Sequence, residues 1–416
     1  MWYQVFWSDK TNSELIPKMI WEWIDVIIWE DESRIDEIFD KIIYTEAVPK
    51  TQSELKKSIE LWLKILTYPE SLAEIANEKK LITVAWTHWK STTTSMISIM
   101  LKNSNFWVNA LVWSLLKEFD GKNVYFSNAD NFVLEACEYK RSFLRYKPYI
   151  WVITNIDLDH LDYYKDLDDY ISAFKSYQDN IISNWYLIID ENDVNSMKLY
   201  QTRQDINYVL LWEKEFKIDG KNYKIPEFNL KVPWKHILFD AKLAYIVWKI
   251  IWLEDNEIKK SLESYNWIWR RSEIVWETLN WNILLSDYGH HPTEISLNLE
   301  ALKKKYFEKK LITIFQPHQY NRTLELLEDF KNCFWNTDIL IIPDIYESRD
   351  SEEDKAKIDW EKLINYINHP NKIFWNWLKN TLNLIKDLDK NNPNNLLIIL
   401  QWAWNIDDLR YDIELK

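Results

Sequence analysis

Residues 81–96 read LITVAWTHWKSTTTSM, and this stretch decides the fold class. The apolar run LITVA predicts a buried strand, and the segment after it predicts a helix. Between them stand Lys90 and Ser91, where a phosphate-binding loop places the lysine that reaches the phosphates and the hydroxyl that holds magnesium. The strict pattern has glycine where Val84 stands, so the match is to a variant of the loop. A chance Lys-Ser-Thr cluster at a helix start is the alternative.

Glycine is missing where this loop requires it, because Trp86 and Trp89 occupy its places. The chain has 26 Trp and 3 Gly in 416 residues, and together they make up roughly the 7% that glycine alone usually takes. Trp185 and Trp281 follow Asn before strand-like runs, where Asn-Gly is expected because the turn requires positive φ. We therefore predict that most of these tryptophans are UGA codons, which some bacterial lineages read as glycine. A genuinely Trp-rich, sugar-binding protein is the alternative, and UGG codons would support it.

Composition limits the class of protein. The length suggests two or three domains, and the hydrophobic fraction of 47% supports substantial cores. A net charge of -14 argues against a nucleic-acid partner. Cys137 and Cys333 are too few for a disulfide framework and too far apart in the sequence for a CxxC-type metal or redox motif, which fits a reducing, cytoplasmic setting. No apolar run is long enough for a membrane span, and the first residues lack the pattern of a signal peptide.

Short apolar runs alternate with charged amphipathic segments along the chain, which predicts parallel α/β sheets. They include DVIIWED, KIIYTEA and LKILTY early, NFVLEACEY, YIWVITNI and WYLIIDEND in the middle, and NILLSDY, LITIFQP, DILIIPD and NLLIILQ late. Breaks are expected just before Leu81 and near Leu279. The predicted domains are therefore 1–79, 80–278 and 279–416.

With glycine at Trp86 and Trp89, the loop resembles the Gly-Thr-x-Gly-Lys-[Ser/Thr]-Thr signature of the Mur ligases, ATP-dependent enzymes of peptidoglycan precursor synthesis. Other stretches resemble, in the same order, motifs of the branch of this family that adds L-alanine: EACEYKRSFL, ITNIDLDHLDYY, YNWIWRRSEIV, SDYGHHPTEI, FQPHQYNRT, DIYESRD and QWAWNIDDL. The resemblance extends over nearly the whole chain, and SDYGHHPTEI with FQPHQYNRT is its most discriminating part.

The resemblance implies an α/β fold of three domains: a Rossmann-like domain for the UDP-sugar, a central P-loop ATPase-like domain, and a C-terminal Rossmann-like domain for the amino acid. The opening MWYQVFWSDK resembles the family's second strand. We therefore expect a truncated N-terminal domain, in which either the start was assigned too late or the first strand and its glycine-rich loop are lost.

The implied activity joins L-alanine to the lactyl carboxylate of UDP-N-acetylmuramate through an acyl phosphate, with ATP and Mg²⁺ as cofactors. Both substrates are small molecules. Two alternatives stay open. One is a sister enzyme, either the ligase that attaches a recycled tripeptide or a folylpolyglutamate-type ligase, although SDYGHHPTEI and FQPHQYNRT argue against both. The other is a noncatalytic nucleotide- or sugar-binding protein, which requires that the tryptophans be real.

The resemblance also assigns roles to individual residues. The catalytic set is Lys90, His160, His290 and Arg322. The ATP-binding set is Trp86, Thr87, His88, Trp89, Lys90, Ser91, Thr92, Asp240, Arg271 and Asp287. The metal ligands are Ser91, Glu135 and His160. The substrate set is Ser8, Asp9, Tyr288, His290, His291 and Arg322, with His318 nearby. Glu135 as a solvated acid, His160 as a loop histidine and Arg271 as a linker ion-pair residue are the structural alternatives.

Three positions depart from the family pattern. Related ligases carry a carbamylated lysine where this chain has Phe174, so the neighbouring Lys175 is not assigned to the metal site. The family's Asn-x-x-Asn on the middle helix is replaced by Ile237 and Asp240, which leaves the adenine contact open. Gln319 stands where some relatives have a second arginine, so selectivity for alanine is supported without being proven.

Overall fold

The structure is a computed structural model that describes residues 4–10, 15–85, 90–104, 108–218, 220–230, 235–251, 254–265, 268–347, 350–374, 378–401 and 405–413. Contacts between Cα atoms divide the chain into two compact units, Met1–Glu78 and Lys79–Lys416. Each unit is described by itself.

The N-terminal unit consists of short parallel strand pairs with helices between them. Its strands are β1 (Phe6–Asp9), β2 (Asp25–Ile28), β3 (Ile42–Tyr44) and β4 (Ile65–Thr67), and its helices are α1 (Leu15–Trp21), α2 (Ser53–Glu60) and α3 (Tyr68–Ala76). Strand β1 pairs with β2 and β3 with β4, both in parallel. Helix α3 begins at a capping box in which Thr67 and Glu70 satisfy each other's backbone N–H groups.

The second unit contains, in its described residues, a nine-stranded sheet. Its strands are β5 (Lys80–Ala85), β6 (Val108–Leu116), β7 (Lys122–Tyr125), β8 (Asn131–Glu135), β9 (Ile150–Ile153), β10 (Tyr186–Asp190), β11 (Asn207–Trp212), β12 (Glu215–Ile218) and β13 (Lys221–Lys224), and its helices are α4 (Lys90–Asn103), α5 (Leu167–Gln178), α6 (Lys235–Ile250) and α7 (Asp255–Ser264). The order is β13-β12-β11-β10-β9-β5-β8-β6-β7. The inner strands are parallel, as predicted, and β7, β12 and β13 add antiparallel edges that were not predicted.

A second sheet of the same unit has six strands in the described part of the chain. They are β14 (Glu273–Glu277), β15 (Ile283–Asp287), β16 (Lys310–Phe315), β17 (Ile339–Ile342), β18 (Lys372–Phe374) and β19 (Leu396–Gln401), with helices α8 (Pro292–Lys305), α9 (Tyr320–Glu325), α10 (Leu327–Phe330), α11 (Glu352–Lys357), α12 (Trp360–Tyr366), α13 (Leu378–Asn391) and α14 (Asn405–Asp412). The order is β14-β15-β19-β16-β17-β18. Only β14 is antiparallel, and it precedes Leu279 yet pairs with β15. The division at 278/279 therefore stays a prediction.

Strand β5 and helix α4 form the centre of the larger core. Residues Leu81 to Ala85 are buried, because the strand lies in the middle of the sheet with side chains packed on both faces. Residues 91–101 of α4 are buried as well, so this helix has no solvent-facing stripe over that length. No helix in the described residues combines the length and the apolar character needed to cross a bilayer.

The backbone angles support the glycine hypothesis at some tryptophans. At one of them they correct the position that was expected to have a positive φ. Positive φ values occur at Trp23 (64°), Trp29 (82°), Trp62 (53°) and Trp281 (66°), in the left-handed region that favours glycine. The positive φ expected at Trp281 is thus confirmed. The same prediction is wrong for Trp185, because the preceding residue, Asn184, takes the positive φ of 68°, and asparagine tolerates that conformation.

Two buried tryptophans carry a second signal. Trp151 in β9 and Trp248 in α6 are fully buried, and the indole N–H of each has no hydrogen-bond partner among the described residues. Buried tryptophans normally satisfy this donor. Glycine at these positions would remove the unsatisfied group.

Glycine substitution is expected to have opposite effects at two similarly exposed tryptophans. Trp281→Gly should stabilise the fold by about 1 kcal/mol, because it relieves the left-handed strain. Trp276→Gly, in strand β14 and equally exposed, should destabilise it by about 0.5–1 kcal/mol, because glycine loses more entropy in a strand. Urea unfolding of the two variants tests this, and equal shifts of the midpoint would contradict the strain argument.

Candidate active site

The candidate site lies at the carboxyl edge of the larger sheet. Strands β8, β5 and β9 are adjacent and parallel, so the segments that follow them meet at one edge, which is where open α/β sheets bind ligands. Helix α4 begins there at Lys90. The loop residues Trp86, Thr87, His88 and Trp89 lie outside the described residues, so their predicted role in ATP binding stays a prediction.

Ser91 and Glu135 form the oxygen-rich part of the site. The Ser91 hydroxyl donates to Glu135 Oε1 at 3.0 Å, and the N–H of Trp113 donates to Oε2 at 2.7 Å. Burial raises the pKa of Glu135 against the opposing effects of this N–H and of Lys90. Thr92, the next residue of α4, is also buried, and its hydroxyl has no partner among the described residues.

A hydroxyl and a carboxylate in contact fit one side of a magnesium site, since this ion prefers oxygen ligands and keeps several positions for water and phosphate. In the described part of the chain, no three His, Cys, Asp or Glu side chains are grouped closely enough to hold a metal on their own. Of the three predicted ligands, the structure thus brings Ser91 and Glu135 together, while His160 faces another carboxylate.

That carboxylate is Glu138. Its two oxygens lie 2.9 and 2.8 Å from Lys90 Nζ, and Oε1 lies 3.2 Å from His160 Nε2. Glu138 is fully buried. Burial acts to raise its pKa, but Lys90 and His160 outweigh burial and lower the pKa, so the carboxylate is ionised. Lys90 correspondingly has a raised pKa, because Glu138 overcomes the effect of burial on the ammonium.

Glu138 was not among the predicted site residues, although its position in the sequence offered a signal. It stands three residues after Glu135 in the acidic motif that follows a buried strand. His160 has a positive φ of 56°, a conformation that costs energy for a non-glycine residue and is common at functional sites. The ring centroid of Tyr139 lies 4.7 Å from that of His160, with the two planes tilted by 43°, so a ring contact helps to hold this loop.

Asp159 connects the loop after β9 to the second sheet. Arg322 Nη2 donates to both carboxylate oxygens, at 2.8 and 2.9 Å, and His290 Nε2 lies 4.0 Å from Oδ2. Asp159 is buried. Burial alone would raise its pKa, but Arg322 and the neighbouring histidines hold the pKa well below its usual range. The structure therefore brings the predicted residues Arg322 and His290 together around a carboxylate that was not predicted.

A fourth buried acid, Glu294, contacts several residues near the second sheet. The backbone N–H of His290 donates to Glu294 Oε2 at 3.1 Å, and Arg271 Nη1 lies 3.9 Å from Oε1. The Arg271 guanidinium also lies over the ring of Tyr288, 4.9 Å from its centroid. Arg271, Tyr288 and His290, predicted from separate motifs, thus share one neighbourhood.

Asp287 is held by internal hydrogen bonds at the end of β15. Its carboxylate accepts the N–H of Ser272 at 2.6 Å, the N–H of Gly289 at 2.8 Å and the side-chain amide of Gln401 at 2.8 Å. Burial raises its pKa despite the nearby charge of Arg271. A Cβ on Gly289 would lie 2.6 Å from Asp287 Oδ1, so glycine is required there by close approach. The predicted contact of Asp287 with ATP stays a prediction.

Asp240 lies between helices, away from any open surface. Its Oδ1 accepts the hydroxyl of Thr93 on α4 at 2.7 Å, and burial raises its pKa well above the usual range. Ile237 is also buried. The adenine contact of Asp240 therefore stays a prediction.

On α5, Phe174 is buried in the core and Lys175 is exposed.

The other predicted residues have local contacts. His291 caps α8 by accepting a backbone N–H two residues later, and His318 stacks on Tyr346 with ring centroids 5.6 Å apart. Ser8 and Asp9 end strand β1 in the N-terminal unit, where the Ser8 hydroxyl donates to a glutamate at 2.7 Å. The predicted substrate roles of these four residues stay predictions.

Comparison with known proteins identifies the family. Residues 84–243 match the model of the Mur ligase middle domain. The UDP-N-acetylmuramate–L-alanine ligase of Clostridium tetani is 35% identical over 386 residues, which cover 89% of this chain and 83% of that protein. The chain belongs to the UDP-N-acetylmuramate–L-alanine ligases of the Mur ligase family. The resemblance read from the seven motifs and the loop is thereby confirmed.

Solved Mur ligases share the fold. The UDP-N-acetylmuramate–alanine ligase of Thermotoga maritima superimposes with a TM-score of 0.77 at 20% identity, covering 98% of this chain and 92% of that one. A MurF ligase of Thermotoga maritima in complex with ADP has a TM-score of 0.60 at 13% identity, covering 91% of this chain and 94% of that one. The predicted α/β Mur ligase fold is confirmed.

Replacing Glu138 is expected to lower the ligase turnover rate. Glu138→Gln keeps the shape but loses the charge that holds Lys90 and His160, and a charge-assisted hydrogen bond contributes about 1.5–3 kcal/mol, so kcat should fall about 10- to 100-fold. Steady-state phosphate release measures this. Glu215→Gln, on the exposed surface of β12, is the control, and an unchanged kcat for Glu138→Gln would contradict the role.

His236 on α6 is expected to make the fold acid-sensitive. Burial lowers its pKa to about 4, whereas in the unfolded chain the group titrates near its ordinary value of about 6.5. Between these values the unfolded chain binds more protons, so the free energy of unfolding should fall by up to about 3 kcal/mol as the pH drops from 6.5 to 4. Urea midpoints measured across this range should depend less on pH in His236→Gln, and an equal dependence would contradict the assignment.

Proposed function

We propose that this chain uses ATP to join L-alanine to the lactyl carboxylate of UDP-N-acetylmuramate in peptidoglycan precursor synthesis. One observation carries the proposal: a row of paired charges runs from Lys90 through Glu138 to His160, and from the adjacent Asp159 to Arg322. It connects the start of a phosphate-loop helix to an arginine suited to an amino-acid carboxylate. This arrangement of charges suits a reaction in which an amine attacks a phosphorylated carboxyl group.

The first step activates the carboxylate. An oxygen of the lactyl group attacks the γ-phosphorus of ATP, the bond to the β-phosphate oxygen breaks, and ADP leaves, which gives an acyl phosphate. Negative charge on the phosphates is stabilised by the Lys90 ammonium and by the N-terminus of α4. Ser91 and Glu135 would hold Mg²⁺, which when bound supplies further neutralisation of phosphate charge.

The second step forms the amide. The amine of L-alanine, once deprotonated, attacks the carbonyl carbon of the acyl phosphate, and inorganic phosphate leaves. Arg322 would hold the alanine carboxylate, since a guanidinium matches that group in charge and geometry. His290, 4.0 Å from Asp159, would lie beside the amino acid.

The proposed activity also requires small residues in the phosphate loop. Indole side chains at Trp86 and Trp89 would fill space in which backbone must approach phosphate. The positive φ values of four tryptophans elsewhere support reading these codons as glycine. UGG codons at Trp86 and Trp89 in the gene would refute that reading.

Phosphate release is expected to require ATP, UDP-N-acetylmuramate and L-alanine together, in protein made with each UGA codon read as glycine. Comparing L-alanine with L-serine and glycine measures selectivity. Lys90→Met should lower kcat at least about 100-fold, because it removes a cation from developing phosphate charge. Lys175→Met, at an exposed lysine of the same unit, is the matched control. Absence of L-alanine-dependent release would overturn the proposal.

A further inference from the structure

We propose that Asp159 binds the ammonium group of the incoming amino acid while Arg322 binds its carboxylate, so that the ion pair between these two residues is exchanged for the substrate's own two charges. The inference rests on the proposed function. It adds to that function the group that recognises the amine.

The charges of the ion pair and of an amino acid balance. Arg322 Nη2 contacts both oxygens of Asp159, and the side chains are 17% and 6% exposed. A buried charge is costly unless it is paired. If Arg322 instead pairs with a ligand carboxylate and Asp159 with a ligand ammonium, every charge stays paired. A free α-amino acid carries these two groups on one carbon atom. A ligand with only one of the groups would strand a charge.

The ion pair is accessible to a small ligand. A cleft opens beside the ion pair, lined by the loop 158–162 and by residues of helix α9 and its surroundings. Leu158, Leu161 and Leu326 contribute its apolar lining. These side chains suit a small aliphatic group such as the methyl of alanine.

The ion pair also sets the direction in which an amino acid would bind. Asp159 directly precedes His160, whose ring contacts Glu138, which in turn holds Lys90. Arg322 instead lies on α9, which follows strand β16 of the second sheet. An amino acid bound between them would point its amine toward the phosphate side, where the acyl phosphate forms, and its carboxylate away. The reverse orientation would place the nucleophile at the wrong end.

Two other carboxylates line the same cleft. Asp162 accepts the hydroxyl of Tyr139 at 2.8 Å, and Glu325 has a raised pKa because of burial and acidic neighbours. Asp159 differs from both in that its two carboxylate oxygens accept from the Arg322 guanidinium. Asp162 and Glu325 serve as comparison positions in the test.

The decisive experiment compares L-alanine with propionate, which keeps the carboxylate and the methyl-bearing carbon but lacks the amine. Asp159→Asn should raise the KM for L-alanine at least about 10-fold, as expected for losing a charge-assisted contact, with the KM values for ATP and UDP-N-acetylmuramate unchanged. Propionate should inhibit Asp159→Asn at least as strongly as it inhibits the wild-type protein, because the Arg322 guanidinium is then no longer paired with Asp159. Arg322→Lys should weaken both ligands.

A positioning role for Asp159 predicts a different result. If Asp159 only holds Arg322 in place, Asp159→Asn will weaken propionate and L-alanine together, and that result overturns the proposal. An unchanged KM for L-alanine in Asp159→Asn would also overturn it. So would a larger rise of this KM in Asp162→Asn or Glu325→Gln than in Asp159→Asn, because the ammonium acceptor would then lie elsewhere in the cleft.

Controls separate folding and function from recognition. Asp205→Asn removes the same charge from the surface pair with Arg203 and should leave the kinetics unchanged. If Asp159→Asn does not fold, Asp159→Glu replaces it, with the same expected contrast between L-alanine and propionate. If the wild-type protein shows no turnover with L-alanine, the proposed function fails. Calorimetric binding of L-alanine then decides the inference separately, since equal affinity in wild type and Asp159→Asn would overturn it.

Discussion

The buried carboxylate of Glu138 is the contact on which the site depends. Lys90 is only 15% exposed, and an ammonium in such surroundings is stable only with a partner charge. Glu138 supplies that charge and also contacts His160. Because Glu138 follows β8, Lys90 follows β5 and His160 follows β9, one carboxylate ties together the segments after three neighbouring strands.

The same principle extends across the second unit. Asp159 and Glu294 are buried acids that meet arginines, Arg322 at 2.8 Å and Arg271 at 3.9 Å. Each acid lies beside His290. Cations suited to phosphate or carboxylate ligands are thus already paired within the protein. Ligand binding in such a site exchanges one ion pair for another, which avoids the cost of leaving a charge unpaired.

The backbone angles of the tryptophans test the rule that an Asn-Trp pair before a strand has its positive φ at the tryptophan. Trp281 lies at a positive φ, as the Asn-Trp pair predicted, but at the other pair Asn184 carries the positive φ instead of Trp185. A dipeptide identifies a turn, yet which residue of it becomes left-handed depends on how the flanking strands are held. At Trp151 and Trp248 the signal is burial of an unpaired indole N–H, which no sequence pattern displays.

The alternation of apolar runs and helices determined the parallel α/β class, since strands buried on both faces read as continuous apolar segments. The ordered motifs determined the family and the identity of Lys90, Ser91, Glu135 and Arg322 as candidates. The edge strands β7, β12 and β13 were missed, because runs such as KNVY and KNYK are too short and too polar to stand out as strands. Only the tertiary structure decided the pairing of Lys90 with Glu138 and of Arg322 with Asp159, because partners 48 and 163 residues apart are brought together by strand order.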